Sequence, residues 1–336
     1  MSLLLRALPS LLAAAAAPAA LAQEARTPVE RHGALSVEDG GLVDEKGDPV
    51  SLAGVSFFWS NTGWAQERFY DPAVVERFAE DWGVSLVRAA IGVDAGGGLI
   101  DDPEGNRARA EAVIEGAIDA GVYVVLDWHS HHAEDHPDEA VAFFTDMAKR
   151  YGDAPNLIYE VYNEPLDDAD WSATIKPYAE RVIGAIRAVD PDNPIVVGTP
   201  TWSQDVDDAA ADPIEGQENV LYTLHFYAGS HKESLRARAQ AAIDGGLPIF
   251  VTEWGTVNAD GDGAPDTAST RDWVGFMREN CLSHANWSVS DKQEGAALFR
   301  PGTPAEGPWP DEALTPSGRL VKSILADWQT ACAAAD

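Results

Sequence analysis

The sequence predicts an α/β fold, a single closed (β/α)8 TIM barrel with a short N-terminal β-hairpin. Three observations predict it. Eight short apolar runs recur along the 336 residues, helical patterns lie between them, and no linker or solenoid-period repeat divides the chain. Strands alternating with helices imply parallel pairing through right-handed crossovers, and eight such units suggest closure into a barrel.

Taken in order, residues 1–22 (MSLLLRALPSLLAAAAAPAALA) carry one Arg, an apolar run and a small-residue end. That is the pattern of a secretory signal peptide cut after Ala22, leaving residues 23–336 as one barrel domain in the periplasm or the medium. Residues 35–50 (LSVEDGGLVDEKGDPV) read as a hairpin with turn pairs Asp39-Gly40 and Lys46-Gly47, expected to plug the bottom of the barrel. The strands are SLAGVSFF (51–58), SLVRAAIG (85–92), VYVVLDWH (122–129) and NLIYEVYNE (156–164). PIVVGTP (194–200), NVLYTLHFY (219–227), PIFVTEW (248–254) and HANWSVS (284–290) complete them. Most are rich in Val, Ile and Tyr and too short for helices. Among the helices, 72–81 opens with Pro72 after Asp71 as cap. Residues 107–120 place Ala110, Val113, Ile114, Ala117 and Ile118 on one stripe. Another helix is read over 172–189, ending before Asp190-Pro191, and the last over 317–332.

The formal charge is −32, and loss of Arg6 with the leader makes it one unit more negative. Such a surface repels nucleic acid, anionic membranes and acidic polysaccharides, so a neutral substrate is expected, with no nucleic-acid or membrane partner. No stretch beyond the leader is apolar and long enough to cross a bilayer. The two cysteines, Cys281 just before strand 8 and Cys332 at the end of the last helix, both fall on the bottom face. Export makes a disulfide between them permissible.

Chemistry in such barrels sits at the C-terminal ends of the strands. Those ends carry Arg88 (strand 2), Asp127, Trp128 and His129 (strand 3), Asn163 and Glu164 (strand 4). Strand 6 ends with His225 and Tyr227, strand 7 with Glu253 and Trp254, and strand 8 carries Trp287. Trp59 follows strand 1 and Trp202 follows strand 5. Glu164 and Glu253 thus face each other across the mouth. A facing carboxyl pair about 5–5.5 Å apart is what retaining glycoside hydrolysis requires: one nucleophile, and one acid that later acts as base. At that distance two charges repel by about 3 kcal/mol at an effective dielectric near 20, so one carboxyl keeps its proton. Spacing alone does not say which.

The segments IYEVYNEP, TLHFYAG, VTEWGT and NWSVSDK, in this order, resemble those of glycoside hydrolase family 5, specifically its bacterial endoglucanases (cellulases). The resemblance runs over the whole chain after the leader. It implies a retaining endo-β-1,4-glucanase working by double displacement, with Glu164 as acid/base and Glu253 as nucleophile. It implies that Arg88 holds the nucleophile ionised, Asn163 bonds the sugar 2-OH, His225 contacts the acid/base and Tyr227 stands beside the nucleophile. His129 resembles the histidine lining the glucose site, Trp59, Trp202 and Trp287 resemble stacking platforms, and Lys292 and Glu294 resemble polar contacts to the sugar. Flat aromatic faces suit the CH faces of a β-linked glucan. No cofactor is implied, and a monomer is expected. The chain departs from the family at His284, where many relatives carry Trp; altered packing is expected there. The family also implies a non-proline cis bond at Trp287-Ser288. An endo-β-1,4-mannanase or another β-glucan hydrolase of the same fold is the alternative substrate reading, and a non-catalytic glycan-binding barrel would need one of the two glutamates missing.

Two metal readings compete. DWHSHHAEDH (127–136) holds four of the eight histidines, and His-x-His is a ligand spacing. In metal-dependent amidohydrolases that pair ends strand 1. Here His129 and His131 follow strand 3, and strand 5 ends in Gly198-Thr199-Pro200 without a ligand, so His131, His132 and His136 are expected on the following loop. Residues 258–263 (NADGDG) mimic half of a calcium loop, but Ser269 stands where its glutamate belongs, so an acidic turn over the cleft is expected.

Overall fold

A computed structural model describes residues 26–332; the expected leader, 1–22, lies outside the described residues. The barrel strands are β1 (Ala53–Phe57), β2 (Leu86–Gly92), β3 (Tyr123–His129), β4 (Leu157–Glu160), β5 (Ile195–Val197), β6 (Val220–Tyr227), β7 (Ile249–Gly255) and β8 (His284–Val289). Each pairs in parallel with its neighbours, and β8 returns to β1 to close the barrel. The outer helices are α1 (Pro72–Trp82), α2 (Pro103–Ala120), α3 (Pro137–Tyr151), α4 (Lys176–Arg187), α5 (Val206–Ala211), α6 (Glu233–Asp244), α7 (Thr267–Glu279) and α8 (Pro316–Ala326). None is long and apolar enough to cross a membrane.

Local signals set the ends. Asp71 accepts from the amide of Ala73 at 2.9 Å, Pro72 occupies the first turn of α1, and Gly83 closes it at φ 65°. Alternation along each strand then sorts side chains into the helix layer or the barrel interior. Trp128 goes outward against Phe143 and Phe144 of α3, and Trp254 outward against Phe226. Neither lines the mouth, although both stand at strand tops. Trp82 and Trp273 are buried in the same layer.

The interior is stacked in levels. The lower one is apolar: Leu86, Val125, Ile158, Val196, Leu221 and Phe250 are buried together with Leu35 and Leu42. The last two belong to the hairpin, whose strands Ser36–Glu38 and Gly41–Val43 pair antiparallel around Asp39-Gly40. The hairpin therefore caps this level from below. At roughly 1.5–3 kcal/mol for each fully buried large side chain, the level is a main source of stability.

Several boundaries differ from the sequence reading. Helix α2 begins at Pro103, four residues earlier than read, and Ile118 is 37% exposed. At 100° per residue Ile118 lies beyond the edge of the stripe centred on Ala110 and Ala117. Helix α4 is entered through a wider turn over Trp171–Ile175. Helix α8 stops at Ala326, so Cys332 lies in a tail where Ala331 bridges to Val50. The tail still reaches the bottom face: Cys281 and Cys332 form a disulfide with Cα atoms 5.9 Å apart. Strand β4 ends at Glu160, not Glu164. Its neighbour β5 offers only three residues, so the ladder runs out; Asn163 and Glu164 hang instead on the carbonyls of Trp128 and Ser130, each at 3.3 Å. The His284 departure is accommodated by polar packing: Trp254 Nε1 donates to His284 Nδ1 at 3.0 Å, and the Trp328 ring meets His284 edge-on.

Candidate active site

The level above the apolar one is reached by stepping two residues along the same strands. Leu86 leads to Arg88, Val125 to Asp127, Ile158 to Glu160 and Leu221 to Thr223. All four upper side chains are fully buried. Strand β7 is different. Its pairing with β6 slips between Thr223 and His225, opposite Phe250 and Glu253. That bulge turns two consecutive side chains, Thr252 and Glu253, toward the interior while Val251 and Trp254 stay in the outer layer.

Arg88 is the hub. Its Nη1 donates to Glu253 Oε2 at 3.1 Å and to Ser56 Oγ at 3.2 Å. Its Nε donates to Glu160 Oε2 at 2.7 Å, and Nη2 reaches Glu160 Oε1 at 3.3 Å, Asn163 Oδ1 at 2.6 Å and Asp127 Oδ2 at 2.9 Å. One guanidinium thus serves three carboxylates and not Glu253 alone. Tyr227 donates to the other oxygen of Glu253 at 2.6 Å. Glu164 accepts no Arg; His225 Nδ1 stands 2.9 Å from its Oε1, and His131 Nδ1 3.7 Å from its Oε2.

Electrostatics follow from this partnering. Burial pushes the Glu164 carboxyl up to about 7, against the opposing pull of His131 and Arg88. Burial and the Glu164 charge also push Glu253 up, while His225, Arg88 and the Tyr227 hydroxyl pull it back. Burial drives His225 down to about 4, so its ring is neutral near pH 7. Asp127 is raised well above the ordinary carboxylate range by burial, and His129, 2.6 Å from it, is lowered well below the ordinary histidine range.

Oxygen atoms of Glu164 and Glu253 and a nitrogen of His225 lie within 4.8 Å of one another. Among the described residues this is the one trio of ligating side chains that converges, and residues 258–263 contribute no other. Both ring nitrogens of His225 are committed, Nδ1 to Glu164 and Nε2 to Thr252 Oγ1 at 2.9 Å. The trio therefore has the character of a proton-transfer set, not of a metal cage. His131 sits on the loop as expected, His132 is exposed, and His136 pairs with Asp94 at 3.0 Å.

Two cavities meet at the glutamates. One, about 400 Å³, is lined by Trp202, Gln204, His225, His231 and Asp260 together with Glu164 and Glu253. The other, about 250 Å³, contains Trp59, Trp64, His129, Trp287, Lys292 and Glu294, with the same glutamates. The acidic turn does stand at the cleft, through Ala259 and Asp260. His129 is almost wholly buried, with its ring face to face against Trp287, 5.1 Å between centroids. Lys292 pairs with Glu294 at 2.7 Å and lies over the rings of Phe58 and Trp64. The Trp287-Ser288 bond is cis. Trp202 is 38% exposed on a turn where Thr201, Trp202 and Ser203 all have positive φ. Such a backbone costs non-glycine residues roughly 1–2 kcal/mol each. It is held by Trp202 N–H to Pro165 O at 2.8 Å and Ser203 Oγ to Asn163 O at 2.7 Å. Gly198 lets the two loops touch: a Cβ there would stand 2.3 Å from Tyr162 O.

Sequence reasoning missed four participants: Glu160, Thr252, His131 and Trp64. The first two had a signal, a polar residue two positions above an inward apolar one. The bulge hid it for Thr252.

Residues 43–293 match the family model described as Cellulase (glycosyl hydrolase family 5). Endoglucanase Z of Dickeya dadantii is 53% identical over 278 residues, covering 83% of this chain and 63% of its own length. An endoglucanase of Clostridium saccharobutylicum is 40% identical, covering 89% of this chain and 66% of its own. The chain therefore spans slightly less than two thirds of these curated relatives. Among solved structures, one from Cytophaga hutchinsonii superposes with TM-score 0.87 at 46% identity, covering 89% of this chain and 96% of that one. The catalytic domain of a Thermobifida fusca endoglucanase gives 0.84 at 34%, covering 89% and 99%.

Proposed function

Since the chain belongs to the cellulase family of glycosyl hydrolases, family 5, we propose that it is a retaining endo-β-1,4-glucanase. The observation that carries the reading is the separation of the two carboxyl groups. Oxygens within 4.8 Å fit the retaining spacing and leave no room for the water that an inverting enzyme places between its general base and the anomeric carbon.

In this reading Glu164 donates its proton to the leaving oxygen while Glu253 attacks the anomeric carbon, giving a covalent glycosyl-enzyme. Water, deprotonated by Glu164, then releases the sugar with its configuration retained. Arg88 and Tyr227 aim the two oxygens of Glu253. Asn163 spends its carbonyl on Arg88, and its Nδ2 is buried without a protein partner, free to bond the sugar 2-OH. Trp202 on one side and Trp59 and Trp287 on the other offer stacking faces. Two cavities sharing the glutamates let a chain run past them in both directions, which supports cleavage at internal bonds. The acidic balance suits a neutral polysaccharide. The pattern of residues 1–22 supports export to the periplasm or the medium.

Release of reducing ends from hydroxyethylcellulose, a neutral soluble β-1,4-glucan, with a steep early fall in viscosity, is the expected result. Turnover of galactomannan in its place would move the assignment to a mannanase. With Glu253→Ala, azide is expected to rescue an activated substrate and give the inverted glycosyl azide. With Glu164→Ala the azide product keeps its configuration. Swapped outcomes would reverse the two roles.

A further inference from the structure

We propose that Glu160 and Thr252 are positioning residues that lock His225 in the tautomer carrying its hydrogen on Nε2, so that Nδ1 presents a lone pair to Glu164. The proposal rests on the reading of Glu164 as the acid, and deepens it.

The argument is a count of hydrogens. The Thr252 hydroxyl has one hydrogen and two lone pairs, and three partners surround it. Glu160 Oε1 is 2.6 Å away, His225 Nε2 2.9 Å away, and Thr223 Oγ1 is in close hydrogen-bond contact. Glu160 is an acceptor, because both its oxygens already take hydrogens from Arg88. The Thr252 hydrogen therefore goes to Glu160. Whichever way the Thr223 hydroxyl turns, toward Thr252 or toward the Phe250 carbonyl at 3.3 Å, the Thr252 lone pair facing His225 must then receive its hydrogen from Nε2. A neutral ring with hydrogen on Nε2 has only a lone pair on Nδ1. That lone pair stands 2.9 Å from Glu164 Oε1, so the hydrogen between them must come from the carboxyl group. The chain from Arg88 through Glu160, Thr252 and His225 thus favours the protonated form of Glu164 and makes its anion a stronger base for the second step.

Other groups face Glu164 as well. His131 approaches from the loop after β3, and Glu253 and Tyr227 from β7 and β6. Arg88 of β2, Asp127 of β3 and Glu160 of β4 lie beneath. None of these touches a nitrogen of His225 within hydrogen-bond distance, so the tautomer is set by Thr252 and Glu160.

Glu160→Gln should reverse the chain. The Gln oxygen keeps the shorter Arg88 contact, its NH₂ faces Thr252, and the Thr252 hydrogen turns to His225 Nε2. Nδ1–H then donates to Glu164 and stabilises the carboxylate. The test is ¹⁵N NMR of the full chain labelled at histidine, with the His225 signals identified by their loss in His225→Asn. Wild type should show a protonated Nε2 and an unprotonated Nδ1; Glu160→Gln should show the opposite. The alkaline limb of kcat/KM on a soluble cello-oligosaccharide should move down by about one pH unit in Glu160→Gln and in Thr252→Val, and return in Thr252→Ser. Hydrogen on Nδ1 in the wild type, or a limb that Glu160→Gln and Thr252→Val leave in place, would overturn the proposal. A wild type that hydrolyses no β-1,4-glucan would sink the functional reading alone, and the NMR arm would still decide the tautomer.

Discussion

Two residues along a strand separate two kinds of interior in this barrel. At the level of Leu86, Val125, Ile158, Leu221 and Phe250 the wall is apolar, closed below by the hairpin and tied by the Cys281–Cys332 disulfide. One step up, Arg88, Asp127, Glu160, Thr223 and Thr252 are equally buried, and every one is polar. The lower level stabilises through burial. The upper level pays desolvation for several charges, which an apolar isostere set would avoid. An arrangement of that kind is held for what it does to Glu164 and Glu253, and the sharpest way to probe the contrast is to damage each level separately.

The largest effect is expected at the top. Glu253→Gln should lower kcat by roughly 10⁴-fold, about 5 kcal/mol of transition-state stabilisation, while the melting temperature holds or rises. Parallel loss of stability would mean that the upper level is structural after all. The converse belongs at the bottom. Phe250→Ala removes a fully buried ring and should cost about 3–5 kcal/mol in denaturant unfolding, with KM at 25 °C unchanged. A large change in KM with little loss of stability would erase the division of labour. The disulfide comes next. It closes 51 residues of chain, and its removal in the Cys281→Ser, Cys332→Ser double variant should cost up to about 4 kcal/mol on the loop-entropy model, without change in kcat.

The two levels also differ in how well the sequence announced them. Strand runs rich in Val, Ile and Tyr, and the Asp71-Pro72 and Gly83 punctuation around α1, are local signals, so the barrel was legible. Glu253 was legible through its position near the top of β7, Glu164 through its place on the segment that follows β4, and both through the family resemblance. What escaped was non-local. The end of β4 at Glu160 depends on how short β5 is. The inward turn of both Thr252 and Glu253 depends on a slip against β6. The left-handed turn that presents Trp202 depends on carbonyls of Asn163 and Pro165, far away in sequence. Trp128 and Trp254 stand at strand tops yet face outward, because period-two alternation, not height, decides which side a residue takes.

The smallest predicted effect sits where the two levels trade against each other, at Glu164. Its folded carboxyl is pushed up to about 7, against about 4.3 for a free glutamate. A group raised in the folded state stabilises fully below the unfolded value, and that contribution is lost as pH rises through the folded one. For wild type the loss falls between about pH 4.5 and 7 and is on the order of 2 kcal/mol, allowing for a side chain 13% exposed to water. Glutamine at this position has no proton to lose. Thermal melts of Glu164→Gln and wild type should therefore diverge with pH: nearly level at pH 4.5, and the variant higher by about 3 °C at pH 8. Over the same interval wild-type kcat/KM should decline as the acid loses its proton. If the melting difference stays flat across that range, Glu164 does not carry the raised proton affinity, and the upper level does not pay in stability for the acid it holds.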